Sequence, residues 1–173
     1  IDSFAPWIVG RSNGVLMGSL AQFGLIEGPG EGPVADTRDT VFHNRYYQVW
    51  QLTQADIDHH IAHWQDPGYE VPYMVASWPG NGNVNNGEAA LLGPFTDLDS
   101  DGLYEPTLGE SPLIRGDMAV YTINHGLDTS VITIAPIGSE VHTLFYAFNN
   151  SWDPYLHNTV FCNQKIINRS SLV

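Results

Sequence analysis

The chain has 173 residues, of which 43% are hydrophobic and 12% aromatic, enough apolar material to build a core. Its 19 acidic residues stand against 6 basic ones, and the formal net charge of −13 argues against a surface made for nucleic acid or an anionic membrane. No apolar run is long enough to span a bilayer, so membrane insertion is not expected.

From Trp7 to Phe23 the pattern is apolar and punctuated by Gly10, Gly14 and Gly18, with Asn13-Gly14 a hairpin turn between two short strands. Gly24 to Pro33 reads as a loop. Tyr46 to Leu52 alternates and predicts a strand, with Tyr47, Val49 and Gln51 on one face and Tyr46, Gln48 and Trp50 on the other. Thr53 opens the one convincing helix, over 53–65. Its hydroxyl caps the first turn, and Asp56 three residues on completes a capping box. Ile57, Ile61 and Trp64 give that helix a core-facing stripe, and Asp66-Pro67-Gly68 ends it. Val71 to Trp78 reads as extended, and Pro79 to Gly87 as an irregular loop dense in Gly and Asn.

The second half predicts strands over Met118 to Asn124, Val131 to Ala135, Glu140 to Asn149 and Thr159 to Asn168, all rich in Val, Ile, Thr, Tyr and Phe. Both faces of the third are partly apolar, which places it inside a packed layer. There is no βαβ rhythm, tandem repeat or low-complexity tract. The fold class expected is mainly β, an antiparallel sandwich-like arrangement with one short α-helix and long Gly/Asn/Asp-rich loops. The lone cysteine, Cys162, excludes an internal disulfide and reads as a buried small hydrophobe. Trp7, Trp50, Trp64 and Trp78 read as core fillers. The chain opens at Ile1 without an initiator Met or signal peptide, and its end from Ile166 to Val173 reads like the middle of a protein. Residues 1–173 are therefore expected to be a single domain or a fragment of a larger β-rich extracellular protein.

The chemistry concentrates in Asp97-Leu98-Asp99-Ser100-Asp101-Gly102. Calcium takes six to eight hard oxygen ligands, and alternating aspartates followed by glycine supply the first three around one turn. Counting from Asp97, Leu103 offers its carbonyl at position seven and Glu105 falls at nine. Position twelve is Leu108 rather than the bidentate glutamate of an EF-hand, so Glu110 and Asp117 are the candidates to complete the shell. Six acids between 97 and 117 against the one base Arg115 favour a cation nearby. The bland alternative is a solvated acidic turn. His59 and His63 are one helical turn apart and have zinc-ligand spacing, but no His-Glu-x-x-His motif is present. A solvent-facing or helix-end cluster of His59, His60 and His63 is the expected reading. There is no Gly-x-Ser-x-Gly elbow and no Walker-type phosphate loop.

Between Trp78 and Gly126 a spaced pattern is formed by Trp78-Pro79, Gly82, Pro94-Phe95, Asp97, Asp99, Asp101-Gly102, Tyr104, Pro106, Gly109-Glu110, Pro112, Ile114 and Gly116-Asp117. By these residues the run resembles a segment of very large secreted proteins of the Bacteroidota. Leu52-Thr53, Ile57 and His60-Ile61 upstream, and Asn158-Thr159, Phe161 and Ile167 to Ser170 downstream, are also similar. Such proteins usually carry a C-terminal sorting domain for type IX secretion and are released or held on the cell surface; no sorting domain is visible here. The resemblance implies an extracellular or cell-surface location and calcium, and no particular activity. Asp39-Thr40-Val41 fits the Asp-Ser/Thr-apolar pattern that this phylum uses for O-glycosylation. Asn149-Asn150-Ser151 and Asn168-Arg169-Ser170 match the N-glycosylation acceptor pattern, which a bacterial origin makes irrelevant.

The expected function is a non-enzymatic, calcium-stabilised structural or adhesive module, a building block of a filament or surface layer. Its partners would be other copies of itself or other segments of a parent chain. The alternative is an extracellular carbohydrate-binding or carbohydrate-active protein whose aromatics stack on glycans.

Overall fold

A computed structural model of the chain describes residues 8–19, 30–126 and 135–170. These residues are mainly β with antiparallel ladders, as the patterning predicts. In chain order they form β1 (Ile8–Ser12), β2 (Val15–Ser19), β3 (Gly30–Glu31), α1 (Thr40–Tyr46), β4 (Trp50–Thr53), α2 (Gln54–His63) and α3 (Tyr73–Ala76). Then come β5 (Phe95–Thr96), β6 (Ser111–Pro112), β7 (Met118–His125), β8 (Ala135–Pro136), β9 (Ser139–Ala147), α4 (Pro154–His157) and β10 (Val160–Asn168). Three sheets result: β1-β2-β8, the order β10-β9-β7-β3 with β4 also on β7, and the pair β5-β6. The chain divides into two compact units, each discontinuous in sequence.

The first unit draws on Ile1–Tyr47, Ile123–His142 and Lys165–Val173. Its β1–β2 hairpin turns on Asn13 and Gly14, both in the left-handed region with φ of 49° and 81°, which matches the twist of the flanking strands. β2 adds β8 in parallel, the one parallel ladder with a described register. Asp39 caps α1 by accepting the Phe42 N–H at 3.0 Å, so Asp39-Thr40-Val41 opens a helix. Phe42 and Tyr46, four residues apart, bury one face of it. This helix takes Tyr46, which the alternation assigned to a strand; the strand begins only at Trp50.

The same unit contains a buried charge cluster. Glu140 is 0% exposed, and its carboxylate accepts from Arg169 Nη2 at 2.8 Å, His142 Nε2 at 2.8 Å and the Val34 N–H at 3.0 Å. Burial raises its pKa, but those three hydrogen bonds outweigh it and bring the carboxyl down to about 2.

The second unit comprises Gln48–Thr122 and Thr143–Gln164. β4 runs antiparallel to β7, pairing Trp50 with Tyr121 and Thr53 with Met118. Its core gathers Trp50, Leu52, Ile57, Val75, Trp78, Leu92, Ala119 and Tyr121. The Tyr121 ring lies 6.1 Å from the Trp50 ring and 4.8 Å from the Trp78 ring. Both indoles satisfy their N–H inside the core, Trp50 on the Ser77 carbonyl at 2.8 Å and Trp78 on the Pro94 carbonyl at 3.1 Å. Val71 to Trp78 is not extended throughout. A single turn, α3, follows Pro72 and drops Val75 into the core.

α2 carries the predicted capping box: Thr53 Oγ1 accepts the Asp56 N–H, and Asp56 accepts the Thr53 N–H. Its buried stripe differs from the expected one. Ile57 and His60 are buried, Trp64 is half-buried, and Ile61 is 51% exposed. β9 lies between β10 and β7, inside the layer as its two-faced apolarity predicts. β10 stands last in the order and is exposed on both faces. Cys162 on it is exposed, which corrects the buried assignment. Trp7 and residues 131–134 of the expected strand over Val131 to Ala135 lie outside the described residues. Among the described residues no helix is long and apolar enough to cross a membrane.

Candidate metal centre

The acid loop belongs wholly to the second unit and is wound by its own carboxylates. Asp97 Oδ1 accepts the Ser100 N–H at 2.7 Å, and Asp97 Oδ2 accepts the Gly102 N–H at 2.9 Å. Asp99 accepts from the Asp101 N–H at 3.3 Å, and Asp101 from the Leu103 N–H at 2.7 Å. These side-chain-to-backbone bonds coil the segment without any strand or helix. Two residues take positive φ to close the coil, Ser100 at 66° and Gly102 at 80°. The glycine does so without strain, and the serine is held there by Asp97.

Two further residues clamp the coil from outside. Asn81 donates to the Gly102 carbonyl at 2.8 Å and to the Ala90 carbonyl at 3.0 Å, while its own oxygen accepts the Tyr104 N–H at 2.6 Å. Glu110, 2% exposed, accepts the Leu98 N–H at 2.8 Å and the Glu105 N–H at 2.7 Å, one on each oxygen. The Glu110 carboxylate therefore bridges the start and the end of the acid run. Tyr104, whose hydroxyl donates to the Val75 carbonyl at 2.8 Å, fastens the same segment to the core. Burial first, and the charge of Glu110 second, push the Tyr104 phenol well above its usual pKa.

Two groups of carboxylate oxygens converge. Asp97, Asp99 and Glu110 form one, and Asp99, Asp101 and Glu105 the other, with ligand atoms within 4.8 Å of one another in each. Asp99 is common to both. This arrangement can hold a metal ion through oxygen ligands. Five of the predicted ligands with side-chain carboxylates thus come together, and the fold brings Glu110 in from beyond the contiguous run. Leu103 follows within the coil, its N–H committed to Asp101. Asp117 lies outside both groups; its carboxylate accepts the Asn149 N–H at 2.7 Å. The Glu105 carboxyl is raised above its usual range, by loss of water first and then by the charges of Asp101, Asp99 and Glu110.

The histidines of α2 part company. His63 Nδ1 bonds Asp66 Oδ2 at 2.7 Å near the helix end, and the His59 and His63 ring centroids are 4.4 Å apart. Among the described residues neither converging ligand group contains a histidine. His60 is 0% exposed: Nε2 faces the Glu110 carbonyl at 3.0 Å, and Nδ1 faces the Tyr69 hydroxyl at 3.2 Å. Burial lowers its pKa and keeps the ring neutral, so Nε2–H donates to the carbonyl and Nδ1 accepts from Tyr69. His60, expected with His59 and His63 in a solvent-facing or helix-end cluster, is instead buried on the Glu110 carbonyl, and sequence reasoning missed Asn81 altogether. The signal for Asn81 was its place in the Gly/Asn-rich loop, and for His60 its place on the face shared by Ile57 and Trp64.

Comparison with known proteins adds no assignment: no family model, no curated protein and no solved structure matches this chain.

Proposed function

We propose that the chain is a non-enzymatic module of a secreted or cell-surface protein, ordered by calcium at the acid loop. The observation that carries this reading is the convergence of Asp97 and Asp99 with the buried Glu110. All the ligand atoms are carboxylate oxygens, the donor set of a hard cation, and the loop follows the calcium-binding order Asp-x-Asp-x-Asp-Gly. Glu110 takes the part that a glutamate at position twelve plays in an EF-hand, from two residues further on. A chain without disulfide pairing gains a cross-link in this way, from Asp97 to Glu110 through the ion. The resemblance to large secreted Bacteroidota proteins supports the location and the structural or adhesive role. The edge position of β10 supports joining to further copies or to other segments of a parent chain.

The deciding experiment is a melt in 1 mM calcium against the same melt in EGTA. A site with a dissociation constant near 10 µM stabilises by about 2.7 kcal/mol at that concentration, a shift of roughly 5–10 °C for a chain of this size. Identical melts, with no heat of calcium binding by calorimetry, overturn the reading.

One observation favours a second reading, glycan binding. Trp152 is 95% exposed and Tyr155 87% exposed, three residues apart in sequence at the start of α4. Asn150 accepts the Trp152 N–H at 3.0 Å and Asp153 accepts the Tyr155 N–H at 3.0 Å, so the backbone under both rings is fixed. Saturable binding on a neutral glycan array, lost in Trp152→Ala, would establish it.

A further inference from the structure

α2 does more than fill the core beside the acid loop. Its inner face ends in His60 and Trp64, which act on two successive residues, Trp64 on Gly109 and His60 on Glu110. The Trp64 indole lies on Gly109, which has φ of +94°, so the chain reverses directly beneath the ring. His60 takes the next peptide and donates to the Glu110 carbonyl at 3.0 Å. A leucine or phenylalanine at position 60 would fill comparable space and leave that buried carbonyl without this donor. Burying an imidazole is favourable only when both nitrogens are paired, and Tyr69 supplies the second partner. The Glu110 peptide is thus fixed on its carbonyl side by α2. Its side chain projects the other way, to Leu98, Glu105 and the Asp97–Asp99 oxygens.

We propose that His60, oriented by Tyr69, is the positioning residue of the acid loop, and that it sets the loop's affinity for calcium by fixing the Glu110 backbone. The inference rests on the calcium reading above and adds a part of the chain fifty residues upstream to that site. It also accounts for a buried polar residue on an otherwise apolar helix face.

The test compares wild type with Tyr69→Phe, His60→Gln and His60→Phe. Calcium dissociation constants come from calorimetry, and each protein is melted in calcium and in EGTA. His60→Phe should weaken calcium binding roughly tenfold or more, the usual effect of removing an outer-shell partner. Tyr69→Phe, which removes one hydroxyl at a half-buried position, should weaken it by about threefold. His60→Gln keeps an amide N–H for the Glu110 carbonyl and should recover most of the affinity. A packing role alone would lower both melts equally and leave the dissociation constants unchanged, and that result overturns the inference. Should His60→Phe not fold, Tyr69→Phe and His60→Gln decide by the same criterion. If wild type binds no calcium, the reading beneath falls and this inference with it, an outcome distinct from a wild-type site that the variants leave untouched.

Discussion

Trp64 lies so close to Gly109 that a Cβ added at the glycine would sit 2.5 Å from indole Cε2. Two independent constraints meet at this one residue, the ring above it and the left-handed φ of +94°. Gly109→Ala should therefore cost about 2–4 kcal/mol, from backbone strain and from displacing the indole. Urea unfolding in EGTA measures that cost directly. Calcium affinity should also fall, because the displaced segment leads straight into Glu110. A variant as stable as wild type would show that neither the indole nor the left-handed backbone resists an added Cβ.

Glu140 makes stability depend on acid. Its carboxyl lies at about 2 in the folded chain against an ordinary 4.5. A depressed carboxyl contributes its full stabilisation above pH 4.5 and loses it as pH falls toward 2. The loss should be ~2 kcal/mol, read as a falling urea midpoint between pH 5 and pH 2.5. Glu140→Gln should flatten that part of the pH profile. At pH 7 the same change should cost about 3 kcal/mol, because it leaves the buried side of Arg169 without its counter-charge. A pH profile for Glu140→Gln parallel to that of wild type would remove Glu140 from the account.

Much of this fold was legible because local signals act alone. The Thr53–Asp56 box starts α2 where the residues say it should, and Asn13-Gly14 turns the first hairpin. The acid loop was legible for the same reason, since its coil is made by bonds between residues two to five apart. Long-range choices were not legible. Tyr46 fits a strand or a helix by pattern, and Phe42 four residues before it tips the balance once both are buried. Ile61 and His60 are adjacent on one helix, and the tertiary need for a donor at the Glu110 carbonyl decides that the polar one is buried. Asp117 has the spacing of a ligand, but its carboxylate accepts from Asn149, a partner 32 residues away.

Glu105 should respond to calcium with a change of sign. Loss of water and the charges of Asp101, Asp99 and Glu110 all work against its ionised form. Without a cation, Glu105→Gln removes like-charge repulsion and should raise the melting temperature in EGTA at pH 7. On the proposed calcium reading the same carboxylate becomes a ligand, and its loss should then weaken binding roughly tenfold. The melting curves of variant and wild type should therefore cross over between EGTA and saturating calcium. Curves that keep their order in both buffers would mean that Glu105 does not face the ion.

Cys162 offers a test of β10 as a solvent-facing edge. Only Phe161, Gln164 and Ile167 of the strand are half-buried, and Cys162 is among its exposed residues. Alkylation of the native protein by iodoacetamide should proceed at nearly the rate of the urea-unfolded chain. The reagent must be neutral, because a net charge of −13 would repel an anionic disulfide reagent and slow the reaction for an unrelated reason. If copies join through β10, the rate should fall as protein concentration rises, and sedimentation should show the association over the same range. A thiol that stays unreactive in dilute native protein would show that the Cys162 face of the strand is covered within the monomer.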